Sequence, residues 1–141
     1  MRIMLVDDIS DFGDLKHRLE LDGHDADIAR DLAGAEQLLI DMDKSKPYGL
    51  IILDLDMDVY ALDQKYREEA SSTFAGWVFF KNVIPEYASE LQKRTIFLTA
   101  YRTKIEEIIK AEGTNYGLLA IVEKDDNHMI NEILKNISKI Q

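Results

Sequence analysis

The chain has 141 residues, 17 Lys+Arg against 27 Asp+Glu for a net charge of −10, and no cysteine. That length accommodates one domain with a sizeable core. The acidic balance, with no basic block to offset it, argues against direct nucleic-acid binding, and the missing cysteine excludes disulfides, thiolate zinc sites and cysteine nucleophiles. The opening residues run straight into an apolar segment, and no apolar run approaches the length of a membrane span. Neither a secretory leader nor membrane insertion is therefore expected, and a soluble cytoplasmic protein is.

The first apolar run, Arg2-Ile3-Met4-Leu5-Val6, reads as a strand ending in Asp7-Asp8. Ser10 is a candidate cap for a helix carrying Phe12, Leu15 and Leu19, which Gly23 ends. From His24 to Ala29, Ala26 and Ile28 alternate with Asp25 and Asp27, the pattern of a half-exposed edge strand. Leu32, Ala35, Leu39 and Met42 form the stripe of a second helix, closed by the turn signal Lys46-Pro47. Leu50-Ile51-Ile52-Leu53 is a third strand ending in Asp54.

Residues 58–75, between Met57 and Gly76, make a connection far longer than a strand-to-helix loop needs. In it Tyr60, Leu62 and Tyr66 suggest a short amphipathic helix with Arg67-Glu68-Glu69 on its exposed side. The expectation is a partly ordered lid or partner-binding element beside the end of strand three, with a passive surface insertion as the alternative. After Gly76 a helix carries Trp77, Phe80, Val83 and Ile84 until Pro85 interrupts it, and Tyr87 and Leu91 belong to a further short turn. Trp77-Val78-Phe79-Phe80 reads as core packing with one exposed face. Strand four, Thr95-Ile96-Phe97-Leu98, ends in Thr99. A helix with Ile105, Ile108 and Ile109 on its stripe stops at Gly113. Strand five, Leu118 to Glu123, ends in Lys124, and a last helix, capped by Asp126 or Asn127, carries Ile130, Ile133, Leu134 and Ile137.

Five strands alternating strictly with five helices predict a three-layer α/β fold. Right-handed crossovers favour a flavodoxin-like parallel sheet of order 2-1-3-4-5, whose switch point falls between strands one and three. The strand ends then line one edge, where such sheets bind ligands, and Asp7, Asp8, Asp54, Thr99 and Lys124 converge there. Two carboxylates about 4 Å apart repel by roughly 4 kcal/mol at an effective dielectric near 20, so a cation is expected among them. Carboxylates suit a hard divalent ion, and a hydroxyl and an ammonium suit phosphoryl oxygens, which implies phosphoryl transfer onto aspartate. Each residue alone has a plainer reading: Asp7 and Asp8 as helix caps, Thr99 as a turn residue, Lys124 as a solvated lysine. His17, His24 and His128 are scattered and read as solvated or helix-end histidines.

Taken in order, Leu5-Val6-Asp7-Asp8, Ile51-Ile52-Leu53-Asp54 with Leu55-Asp56-Met57, the later Gly76, Phe97-Leu98-Thr99-Ala100 and Lys124 resemble the CheY-like receiver domain of bacterial two-component response regulators, over essentially the whole chain. The resemblance implies that Asp54 accepts a phosphoryl group from a phosphohistidine. It implies Mg2+ held by Asp8, Asp54 and the backbone carbonyl of Asp56, with Asp7 acting through a bound water, and phosphoryl oxygens met by Thr99 and Lys124. Its partners would be a histidine kinase or a histidine phosphotransfer protein and an unknown downstream protein, with the output face at strand four, helix four and strand five. It also implies a signalling domain rather than an enzyme. Asp58 and Asp125 stand where the family usually has proline, and Ile121 stands where a switching aromatic is common. Two other readings are a non-phosphorylated pseudo-receiver and a haloacid-dehalogenase-type phosphatase, suggested by Asp54-Leu55-Asp56. The phosphatase puts its acid-bearing strand first in the core, whereas here that strand is third.

Overall fold

Continuous apolar runs bury both faces of a strand, and only a sheet covered by helices on each side satisfies them. The computed structural model describes residues 1–8, 12–124 and 128–141, with the backbone alone for Phe12. Strands β1 (Arg2–Val6), β2 (Asp25–Ala29), β3 (Tyr48–Asp54), β4 (Thr95–Thr99) and β5 (Ala120–Glu123) form one parallel sheet of order β2-β1-β3-β4-β5. This is the flavodoxin-like order expected from the sequence.

Helices α1 (Phe12–Leu21) and α7 (Met129–Ser138) cover one face, where Leu15, Leu19, Ile133 and Ile137 pack on Ile3, Leu5, Leu50, Ile52, Ile96 and Leu98. The other face, built on Met4, Val6, Ile51, Leu53 and Phe97, receives α2 (Leu32–Ile40), the stretch Ala75–Ala88 and Ile105 of α6 (Arg102–Glu112). Each fully buried Leu or Ile contributes about 1.5–3 kcal/mol, so the alternation along each strand fixes which helix covers which face.

Asp31 caps α2 by accepting from the Gly34 N–H at 2.6 Å. The helix ends at Ile40, ahead of the Lys46-Pro47 turn, and Met42 packs just beyond it. The expected cap Ser10 and the expected caps Asp126 and Asn127 lie outside the described residues, and α7 starts after His128. Gly113 closes α6 with φ of 72°, a left-handed conformation that favours glycine.

The connection from β3 to β4 departs from the expected short amphipathic helix, helix ending at Pro85 and further turn. Between β3 and β4 the chain makes short 3-10 turns at Val59–Ala61 and Gln64–Tyr66, helices α3 (Arg67–Ser72) and α4 (Ala75–Val78), a π-helical turn at Phe79–Val83, helix α5 (Ile84–Ala88) and a 3-10 stretch Ser89–Arg94. Strict one-to-one alternation therefore fails here. Pro85 sits in the first turn of α5 instead of ending the run. The wide π turn directly ahead relieves the clash that a proline ring makes with the carbonyl four residues earlier.

Trp77, Val78, Phe79 and Phe80 are all buried, so the exposed face expected for that run is absent. Trp77, Phe80, Phe97 and Tyr116 pack edge-to-face or stacked, with ring centroids 4.9–6.2 Å apart. The amphipathic helix expected around Tyr60, Leu62 and Tyr66 is also replaced. Leu62 is buried, Tyr60 is 73% exposed, and Arg67 lies over the Tyr60 ring instead of in solvent. His24 is buried too, with Nδ1 3.0 Å from the amino terminus and its backbone N–H bonded to the Leu19 carbonyl of α1, which corrects the solvated reading and leaves the helix-end one. No described helix is long and apolar enough to cross a membrane.

Candidate functional site

Because all five strands are parallel, their carboxyl ends share one edge. Val6 lies opposite Leu53 in the β1–β3 pairing, so Asp7 emerges beside Asp54. On the other side Asp54 is registered with Leu98, which places Thr99 one residue further along the neighbouring strand. The ladder continues past the strand ends, with Asp7 N–H donating to the Ala29 carbonyl at 3.0 Å, Leu55 N–H to the Leu98 carbonyl at 3.1 Å, and Lys124 N–H to the Thr99 carbonyl at 2.9 Å. These bonds hold the backbone of each candidate residue.

Asp7, Asp8 and Asp54 each offer a carboxylate oxygen within 4.8 Å of the other two. Asp7 and Asp54 are buried and Asp8 is exposed. The Lys124 ammonium reaches into the cluster, 2.5 Å from Asp54 Oδ2 and 3.4 Å from Asp7 Oδ2. The other Asp54 oxygen, Oδ1, accepts from the Asp56 N–H at 3.0 Å, which shapes the turn leaving β3. Lys124 is thus one cation among these acids and answers part of their repulsion. Three acids and one ammonium, all ionised, still leave a formal charge of −2.

Thr99 is fully buried, and its Oγ1 accepts from the Tyr101 N–H at 2.9 Å, leaving the hydroxyl proton to donate elsewhere. The structure therefore brings Asp7, Asp8 and Asp54 within 4.8 Å of one another, sets Lys124 against Asp54 and Asp7, and places Thr99 on the adjoining strand end. Asp56 contributes its N–H to Asp54 while its side chain is exposed.

The donor set fits a hard divalent ion. Among the described residues the grouped ligand atoms are carboxylate oxygens, with no sulfur or imidazole, which favours magnesium, calcium or manganese over zinc or copper. One oxygen from each of the three acids lies within 4.8 Å of the other two, a spread that a single small divalent ion would bridge.

Burial pushes the Asp54 carboxyl up to about 6 from 3.8; Lys124 and the Asp56 N–H pull it down, while the charge on Asp7 adds to the rise. Burial likewise opposes the charge on Lys124, but its hydrogen bond to Asp54 and the attraction of Asp54 and Asp7 outweigh that and hold it above the usual lysine value. A raised acid holds its proton in the native state after the unfolded chain has released it. In metal-free protein, stability from Asp54 is therefore full below pH 3.8 and declines as pH rises through about 6. Thermal unfolding with a chelator, from pH 4 to pH 7, should show wild type losing stability relative to Asp54→Asn. Parallel curves for the two proteins would contradict this electrostatic account.

Several contributors beside the site were not singled out in the sequence. Phe74 stacks on Tyr101 with centroids 6.2 Å apart, and the Lys104 ammonium lies 4.6 Å from the Phe74 ring centroid. Lys81 bridges Glu69 of α3 and Glu112 of α6. The available signal was thin: an aromatic two residues after Thr99 and another two before Gly76.

No protein-family model matches the chain, and no curated protein sequence matches it. Solved structures do. The chemotaxis protein CheY4 of Vibrio cholerae is 22% identical, with a TM-score of 0.67 over 99% of this chain and 98% of that one. The non-phosphorylated HemR receiver domain of Leptospira biflexa is 24% identical, with a TM-score of 0.63 over 99% and 92%. The response regulator TrrA of Thermotoga maritima, solved in complex with Mg2+ and BeF, is 22% identical, with a TM-score of 0.62 over 99% and 98%. The chain has the fold of response-regulator receiver domains.

Proposed function

We propose that this protein is a phosphoacceptor of a two-component or phosphorelay system, in which Asp54 takes a phosphoryl group from a phosphohistidine and thereby switches the binding of a downstream protein. A shared fold does not carry a function, so the reading rests on the site. Its main support is the buried Asp54 carboxylate, held by Lys124 and the Asp56 N–H at the carboxyl edge of the sheet with Asp7 and Asp8 beside it. An oxygen of Asp54 attacks phosphorus, the phosphorus–nitrogen bond breaks, and the histidine nitrogen of the donor keeps the electron pair. The new acyl phosphate places negative charge where Lys124 already points. Thr99, on the next strand end, has a hydroxyl proton available for a phosphoryl oxygen. Asp7, Asp8, Asp54 and the Asp56 carbonyl would hold Mg2+, which when bound neutralises charge on the phosphoryl group during transfer. The donor would be a histidine kinase or histidine phosphotransfer protein, and the chain would act as a signalling switch without turnover of a substrate, in the cytoplasm.

An ion that binds only the folded site raises stability, by about 2.7 kcal/mol at one hundred times its dissociation constant. Magnesium is expected to raise the midpoint of thermal unfolding, and Asp8→Asn is expected to reduce that increment more than Asp25→Asn or Asp27→Asn does. Asp27 bonds Arg2 and Tyr48 at 2.8 and 2.6 Å, so its replacement lowers the baseline without touching the increment. Equal increments in all four proteins would place the ion elsewhere.

A further inference from the structure

We propose that residues 58–73 form a strap whose packing responds to the state of the acceptor site, with the Phe74–Tyr101 contact as the joint through which Thr99 moves it. The proposal rests on the phosphoacceptor reading above and adds the element that the site controls.

The strap is built to move as a unit. Asp58 Oδ1 accepts from the Tyr60 N–H at 2.9 Å and Asp63 Oδ1 from the Lys65 N–H at 3.1 Å, which sets its two 3-10 turns. Arg67 ties them to α3: its guanidinium donates to the carbonyls of Leu62 at 3.2 Å and Tyr60 at 3.3 Å. Beneath these bonds Leu62 and Ala70 are buried in the core, and Val59, Ala61 and Tyr66 are half-buried against it. A segment with its own internal bonding and only two fully buried apolar side chains opens at lower cost than the wholly buried helix α4 beside it.

Both ends of the strap meet the site. Its first turn follows Asp56, whose N–H is bonded to the Asp54 carboxylate. At its far end Phe74 stacks on Tyr101, and the Tyr101 N–H is held by the Thr99 hydroxyl. Any displacement of Thr99 Oγ1 toward a phosphoryl oxygen on Asp54 draws Tyr101 with it and shears the stack. There is room for that: Tyr101 is half exposed and borders a cleft of about 390 Å3, shared with Met57, Ser71, Phe74 and Lys104.

A second clip holds the strap to α6. Lys81 pairs with Glu69 on α3 and, at 3.1 Å, with Glu112 on α6, while Tyr116 donates to Glu112 at 2.5 Å. The Lys81 ammonium lies 5.1 Å from the centroid of a Trp77 ring, so a change in this clip alters the surroundings of the lone tryptophan. The aromatic joint therefore starts the movement, and the ionic clip sets how readily α3 follows.

Hydrogen exchange of the full chain, in magnesium alone and in magnesium with beryllofluoride, tests this, with intact mass after acetyl phosphate treatment measured in parallel. In wild type, beryllofluoride is expected to change exchange across 59–72 by about tenfold and to shift Trp77 emission. Tyr101→Ala, at a half-exposed position, is expected to gain phosphoryl mass normally while losing the exchange response. Lys81→Met is expected to exchange fast across 59–72 in magnesium alone. Normal phosphoryl gain in wild type with unchanged exchange across 59–72 would overturn the strap, as would a full response in Tyr101→Ala. Absence of phosphoryl gain in wild type would instead overturn the phosphoacceptor reading, and the strap with it.

Discussion

Gly76→Ala is expected to destabilise the fold by about 1–3 kcal/mol and to slow phosphorylation by more than that loss alone would. A Cβ at this position would stand 2.5 Å from the carbonyl oxygen of Asp54 and 2.7 Å from Cα of Leu55. Both are backbone atoms on the strand end that carries the acceptor, so no side-chain rotation relieves the clash. The Gly76 N–H also donates to the Leu55 carbonyl at 3.0 Å, which pins α4 against that strand end. Any relief must move either α4 or Asp54 itself. Against a total stability of about 5–15 kcal/mol the loss is measurable by denaturant unfolding, and the labelling rate reports the displaced acceptor separately. Gly13→Ala in α1, where a Cβ meets nothing within 4 Å, is the control and is expected to be neutral or stabilising. A Gly76→Ala protein with wild-type stability and labelling would contradict the close packing of α4 on the acceptor strand.

The strand ends were legible because a parallel strand buried on both faces is a continuous apolar run, and the first polar residue after it marks the edge of the sheet. Asp7, Asp54 and Thr99 are such residues, Lys124 follows one place after Glu123, and strand order followed from the alternation with helices. What was not legible depends on contacts between segments distant in sequence. The pattern sets Lys124 on the same edge as Asp54, but its direct contact with that carboxylate, 70 residues away, is not in the pattern. Lys81 likewise finds Glu112 31 residues on, and no local pattern announces that pair. The π turn at Phe79–Val83 escaped because buried apolar residues surround the helix, interrupted in that turn only by the half-buried polar Lys81 and Asn82, and blur a helical stripe, and Pro85 then read as a stop. Tyr60 was assigned to an apolar face by spacing, but a 3-10 turn followed by a break rotates it outward, where Arg67 covers it.

Asp54→Asn is expected to abolish magnesium-dependent phosphorylation, the largest functional effect of any single replacement here. The amide matches the carboxylate in size but is a poor nucleophile, and it cannot form the acyl phosphate. The fold is expected to survive. At neutral pH the change removes a charge that burial disfavours, while Lys124 keeps Asp7 at 3.4 Å as a partner. Unfolding at pH 7 should therefore occur at the wild-type temperature or above it. Loss of labelling together with loss of the native state would mean that Asp54 is needed for folding, and would leave the nucleophile to be identified by peptide mapping of the wild type.

That mapping is the most direct test of the central claim. The wild-type chain is incubated with magnesium and a small phosphodonor such as acetyl phosphate, its intact mass is measured, and the modified peptide is located. The account predicts one added phosphoryl group, dependent on magnesium and carried by Asp54. No mass gain, or a phosphoryl group on any other residue, would contradict it.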